Sequence, residues 1–257
     1  MIWEMAVIPF LLNNSSTWFS MKKTDIERLS KLQNLFFSVL FKVQHSPAPS
    51  FLWDCQTLTM SNRILKSKLM LCHHILSLPS SAVAHQVLLE QIRLRLPGLW
   101  LVIEEFIIVH KVSDVTNFSK KQWKDLINEI IMEQNKNDLI SLMKKSSKIR
   151  QSNILDESYE FKNYIRDLSR EYARVQFRQR YFMIKEAKLN FPSDPQFKAQ
   201  GFQCDYCPAI SSQSHIKVCK EYLFLREGRN LEIDSELVQY FVEVVKYRQD
   251  RAEDDDE

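Results

Sequence analysis

Glycine is nearly missing from this 257-residue chain, with Gly98, Gly201 and Gly228 as the whole supply. Tight hairpins and phosphate-cradling loops both draw on glycine at positive φ, so neither can be common. The expected fold is mainly α: a helical array with a small C-terminal element. Long apolar runs are missing too. The start, MIWEMAVIPFLL, contains Glu4 and is too short to span a bilayer. It also lacks the basic start and small-residue cleavage site of a secretory signal, so it reads as a core element, and no membrane partner is expected. Cysteine is scarce. Of five cysteines, three cluster beside a histidine, which fits a reducing intracellular compartment, cytoplasmic or nuclear, better than a disulfide framework.

Catalytic signatures are also absent. The chain has no phosphate loop, no G-x-S-x-G, and no serine or cysteine nucleophile with convincing partners. Its run of aspartates, Asp254 to Asp256, is terminal and lacks the hydrophobic strand that a polymerase carboxylate pair needs. No catalytic centre is expected. The net charge of +3 is small, but the closing EDDDE is an acidic tail, so the body before it is more basic than the total suggests.

What is present is helical punctuation. Thr24 with Glu27 reads as a capping box, followed by a face of Ile26, Leu29, Leu32, Phe36 and Val39. Ser61 is expected to cap the next helix, which Pro79 stops, and Ser80 or Ser81 to open another that ends at Leu96 before Pro97-Gly98. Leu99 to Val109 reads as a buried helix. Ser119 and Gln122 form a second capping box, followed by Trp123, Leu126, Ile127, Ile130 and Ile131 on one face. Asn137 is a candidate restart, and a long helix is expected over roughly 156–188. Asp234 or Ser235 should cap a last helix with Leu237, Val238, Phe241, Val244 and Val245 on one side. Breaks near 113–118 and at the proline-rich stretch 191–200 divide the chain into 1–118, 119–190 and 191–257.

Two constellations carry chemistry. In the first, Cys204-x₂-Cys207-x₇-His215-x₃-Cys219 supplies three thiolates and an imidazole, a set suited to tetrahedral zinc (Zn2+). The C-x₂-C pair turns both sulfurs to one side. Ser211 or Ser212 can cap a short helix on which His215 and Cys219, four apart, share a face, with Gly228 at its end. Four protein ligands leave no open position, so the metal is expected to be structural. Cys55, Cys72, His73 and His74 form a weaker grouping: adjacent helical residues point about 100° apart and cannot all converge on one ion.

In the second, Arg166, Arg170, Arg174 and Arg178 recur every fourth residue, which on one helix is a stripe about 18 Å long. With Lys162, Arg180, Lys185 and Lys188, residues 161–188 hold eight positive charges against three negative ones, with Tyr164, Tyr172, Phe177 and Tyr181 among them. Such a stripe can follow a phosphate backbone while aromatics stack on unpaired bases. The competing reading is a solvated helix face.

Taken together, these segments resemble the C-terminal end of a non-LTR (LINE-type) retrotransposon reverse transcriptase. IPFLLNNSSTW, LQNLFFSVLFKVQHSPAPSFLWDCQTLTM and LPSSAVAHQVLLEQIRLRLPGLW look like the thumb helices beyond the palm. CDYCPAISSQSHIKVCKEYLFLREGRNLEIDSELVQYF looks like the family's terminal CCHC element and the helix after it. The resemblance implies that Cys204, Cys207, His215 and Cys219 are zinc ligands. It also implies a hold on template RNA or target DNA, with the polymerase part of the same element as a further partner. Palm, fingers and endonuclease are not matched, so the chain is expected to be a truncated or decayed fragment without activity by itself. A zinc-stabilised helical protein-interaction module is the alternative. Metal-dependent hydrolysis is a third reading, disfavoured by the closed ligand set.

Overall fold

The computed structural model describes residues 3–17, 21–43, 48–112, 115–145, 158–181, 204, 206–209, 211–231 and 234–254. Among these residues the chain is helical and contains no strand. A π-helical turn, Trp3–Val7, leads into α1 (Ile8–Leu11); α2 (Lys23–Phe41), α3 (Ala48–Asp54), α4 (Met60–Leu76), α5 (Val83–Leu94) and α6 (Leu99–His110) follow. Then come α7 (Lys120–Lys144), α8 (Tyr164–Asp167), α9 (Arg170–Arg180), α10 (Gln213–Ile216), α11 (Leu223–Arg226) and α12 (Asp234–Asp254). No described helix is long and apolar enough to cross a membrane. Two compact units form, residues 1–34 with 57–139, and residues 35–56 with 140–257.

The first unit is built on α7. Its start is the reciprocal capping box expected from Ser119 and Gln122: the Ser119 N–H donates to Gln122 Oε1 at 3.0 Å and the Gln122 N–H to Ser119 Oγ at 3.3 Å. Trp123, Ile127 and Ile131 then pack with Leu69 and Cys72 of α4 and with Leu99, Ile103 and Phe106 of α6. The Trp123 indole N–H finds the Leu69 carbonyl at 3.0 Å, so the largest core side chain is buried without an orphaned donor. Buried Asn135 ties α7 to the start of α4. It accepts from the Thr59 N–H at 2.8 Å and from Asn62 Nδ2 at 3.1 Å, and donates to the Thr57 carbonyl at 3.3 Å. Asn137 restarts nothing, because α7 runs straight through it.

Several local expectations shift by one or two residues. At the start of α2 the reciprocal partner is Asp25, which accepts from the Lys22 N–H at 3.1 Å, while Thr24 lies inside the helix. Thr59, not Ser61, caps α4, because its side chain accepts from the Asn62 N–H. Helix α5 begins after Ala82 with no side-chain cap and ends at Arg95 in the left-handed region. Helix α6 buries Leu99, Ile103 and Phe106 but exposes Ile108 and Val109, so it is covered on one face only.

The second unit holds two features that matter for the site. One is an aromatic stack: Phe41 and Phe51 lie against Phe177 with centroids at 4.4 and 4.8 Å, and Phe37 stacks on Phe51. The buried side of α2 is therefore Gln33, Phe37 and Phe41, while Leu32 and Val39 of the expected face are exposed. The other is a polar node at Asp54, which is fully buried. It accepts from Tyr164 Oη at 2.6 Å, Tyr181 Oη at 2.9 Å and Arg180 Nε at 3.2 Å. Burial pushes the Asp54 carboxyl up, with Arg180 and the tyrosine hydroxyls pulling against it.

Candidate metal centre

A short turn begins the site. The Cys204 N–H donates to the Ala209 carbonyl at 2.8 Å, closing the loop that carries Cys207 and Pro208. Ser212 is the cap: its Oγ accepts from the His215 N–H at 3.0 Å and opens α10. Helix α10 is shorter than expected and ends at Ile216. Cys219 nevertheless stays one turn from His215, because its N–H still donates to the His215 carbonyl at 2.8 Å. Its own backbone is extended, and a 3-10 turn, Lys220–Tyr222, follows directly. Gly228, at φ 78°, lies beyond α11 and not at the end of the histidine helix.

These local devices bring four donors together. The Sγ atoms of Cys204, Cys207 and Cys219 and a ring nitrogen of His215 all lie within 4.8 Å of one another. Cys204 Sγ and Cys219 Sγ are 3.9 Å apart, and Cys207 Sγ is 3.2 Å from His215 Nε2. A disulfide needs about 2.05 Å, so the sulfurs are unbonded thiols. A tetrahedral ion with metal–sulfur bonds of about 2.3 Å needs sulfur–sulfur edges of about 3.8 Å, and the Cys204–Cys219 edge, at 3.9 Å, meets that. The cluster can hold a metal ion with every position filled by protein. Cys204 and Cys219 are buried, and Cys207 and His215 are half-buried. Burial and the neighbouring Cys204 push the Cys219 thiol up to about 11, while a backbone hydrogen bond from Glu221 pulls the other way. A bound cation reverses that balance by stabilising the thiolate.

The cradle rests on α12. Ile216, Tyr222, Cys204 and Cys219 share a core with Leu237, Tyr240, Phe241 and Val244. Three polar contacts clamp it in register: Tyr240 Oη donates to the Ile216 carbonyl, Arg248 Nε donates to Tyr222 Oη, and Tyr247 Oη donates to Glu221 at 2.7 Å. Arg229 pairs with Glu243 at 2.7 Å. Spacing from the ligands does not reveal these supports, although Tyr240 and Tyr247, seven residues apart on one face, are a signal that could have found two of them.

Known protein families, curated proteins and solved structures were all compared with the chain. None matches. The site's geometry therefore speaks for itself.

The weaker grouping does not converge: among the described residues, the metal-competent cluster is the one at 204–219. Cys72 is buried, its thiol pushed up to about 12 by desolvation, and His73 Nε2 sits 2.8 Å from the Phe118 carbonyl.

The arginine stripe is broken and largely drawn inward. The expected long helix is interrupted at Leu168 and Ser169, which puts Arg166 on α8 and Arg170, Arg174 and Arg178 on α9. Arg166 pairs with Asp167 at 2.7 Å, and both are exposed, as is Arg170. Arg174 Nε donates to the Leu40 carbonyl and Arg178 Nη2 to the Lys42 carbonyl, each at 2.7 Å. These two cations satisfy the orphan carbonyls at the end of α2, where the helix dipole is negative. Arg180 is the counter-ion of buried Asp54. Lys185 and Lys188 lie outside the described residues.

Proposed function

We propose that Cys204, Cys207, His215 and Cys219 hold one structural zinc ion, and that this chain is the nucleic-acid-binding C-terminal part of a LINE-type reverse transcriptase, without catalytic activity of its own. The closed four-donor cradle carries the first half of this reading. Three thiolates and an imidazole select zinc over harder ions, and no position is left for water or substrate. The second half is supported by the sequence resemblance and by Arg166 and Arg170, which stay exposed at the head of the basic segment. In this reading RNA or single-stranded DNA is the ligand, the palm of the same element supplies synthesis, and the compartment is intracellular.

Fluorescence anisotropy of labelled RNA and single-stranded DNA, across a salt series and with or without a zinc chelator, tests it. Affinity that falls steeply with salt and is lost on chelation is the expected result. No binding by zinc-loaded, helical protein sinks the nucleic-acid half and leaves the metal as a clasp. The engagement of Arg174, Arg178 and Arg180 within the fold favours that second reading, a zinc-stabilised interaction module. It requires Arg166→Ala with Arg170→Ala to leave anisotropy unchanged.

A further inference from the structure

A cavity of about 700 Å3 opens in the first unit, far in sequence from the metal centre at 204–219, within the range of about 300–1,000 Å3 typical of small-ligand sites. Its lining combines the apolar side chains of Pro9, Leu12, Leu58, Met70 and Leu71 with the amines of Lys66 on α4 and Lys120 on α7. Arg63 also lines it, but its guanidinium is already engaged: Nη1 reaches Glu4 at 2.8 Å, Nη2 takes the other Glu4 oxygen, and Nε donates to the Leu58 carbonyl at 3.2 Å. Glu4 is the acidic neighbour that acts on Lys66, and both its oxygens are spent on Arg63. Burial foremost, then the like charges of Arg63 and Lys124, hold Lys66 below its ordinary value. The cavity thus brings Lys66 and Lys120 together with apolar side chains and the hydroxyls of Ser16 and Ser67, and Glu4, already bound to Arg63, is the acidic group acting on Lys66 among the described residues.

We infer that this cavity binds a nucleoside monophosphate, with the phosphate on Lys66 and Lys120 and the nucleoside against Leu58, Met70 and Leu71. A dianionic phosphate would take charge-assisted bonds from both lysines, and bonds of that kind are the strong ones. The serine hydroxyls suit a sugar or base edge better than an acyl chain. The site is independent of the metal centre.

Calorimetric titration of the full chain with adenosine 5′-monophosphate, adenosine and inorganic phosphate tests the inference. The monophosphate should saturate the protein, and adenosine should bind about tenfold or more weakly. Lys66→Gln should weaken the monophosphate about tenfold while Lys66→Arg largely retains it, with circular dichroism unchanged. Lys120→Gln, at an exposed position, repeats the test should Lys66→Gln disturb folding. Zinc chelation should leave this binding intact, which separates it from the nucleic-acid reading. Equal binding of adenosine and its monophosphate overturns the inference, as does lysine-independent binding or the absence of saturation by helical protein. Tighter calorimetric binding of dihexanoyl phosphatidic acid than of the monophosphate overturns it in favour of a lipid ligand.

Discussion

Replacing Arg180 with methionine probes the buried carboxylate of the second unit directly. Asp54 is fully buried, and Arg180 Nε lies 3.2 Å from its Oδ2. At that distance and an effective dielectric of 20, the pair attracts by about 5 kcal/mol before desolvation is counted. Methionine keeps much of the side-chain volume but leaves the carboxylate without its cation, a change that costs about 3–5 kcal/mol in protein interiors. Asp54 has one escape, which is to take up a proton. Holding a carboxyl with an ordinary value of 3.8 protonated costs about 4 kcal/mol at pH 7 and about 2 kcal/mol at pH 5.

That escape caps the loss and gives it a sign. Burial raises the folded-state value of Asp54, and losing Arg180 raises it further. A group raised on folding contributes stability below its unfolded value and loses it as pH rises through the folded one. Arg180→Met should therefore be nearly harmless around pH 4 and cost about 3–4 kcal/mol by pH 7. Urea unfolding at a series of pH values measures this, followed by circular dichroism and by the fluorescence of Trp53, the buried neighbour of Asp54. A pH-independent loss below about 1 kcal/mol, as an exposed cation gives, refutes the buried-pair argument and returns Arg180 to solvent.

Asn135→Ala should destabilise the first unit by about 1–3 kcal/mol, because it removes the acceptor of the Thr59 N–H and a buried donor to the Thr57 carbonyl; denaturant titration showing under about 0.5 kcal/mol would contradict this. Glu243 is held below its ordinary value by Arg229, so the pair stabilises above the unfolded carboxyl value and is lost as pH falls through the folded one. The unfolding free-energy gap between wild type and Arg229→Gln, read by denaturant titration, should accordingly be widest near neutrality, about 1 kcal/mol at most, and close on acidification.

The metal ligands were legible in the sequence because the devices that bring them together are local, whereas the α12 side chains that support them were not. Sixteen residues contain the turn, the Ser212 cap and all four donors, and the i to i+4 relation of His215 and Cys219 survives the early end of the helix. The capping box of α7 was legible for the same reason. The buried side of α2 was not. Spacing alone cannot choose between Phe36 and Phe37, and the choice is made by Phe51 and Phe177, which arrive from elsewhere in the chain. Nor does charge periodicity say what a cation faces. Arg174 and Arg178 read as a solvent stripe until the end of α2 is placed beneath them. Arg180 needs a carboxylate 126 positions away, and chain punctuation cannot show that the two units are each made of separated stretches.

The arginines that close α2 also set an order of events during synthesis. Arg174 reaches back 134 residues to the Leu40 carbonyl, and Tyr164 reaches back 110 to Asp54. At about 5–20 residues per second, a ribosome that has just made Leu40 needs roughly 7–27 s before Arg174 exists to cover it. The first unit has all its residues once Leu139 is made, so it can fold while Phe37, Phe41 and Phe51 still wait for Phe177. During that interval their rings are available to a chaperone, and slowing translation between Leu139 and Phe177 lengthens the exposure without changing the finished protein.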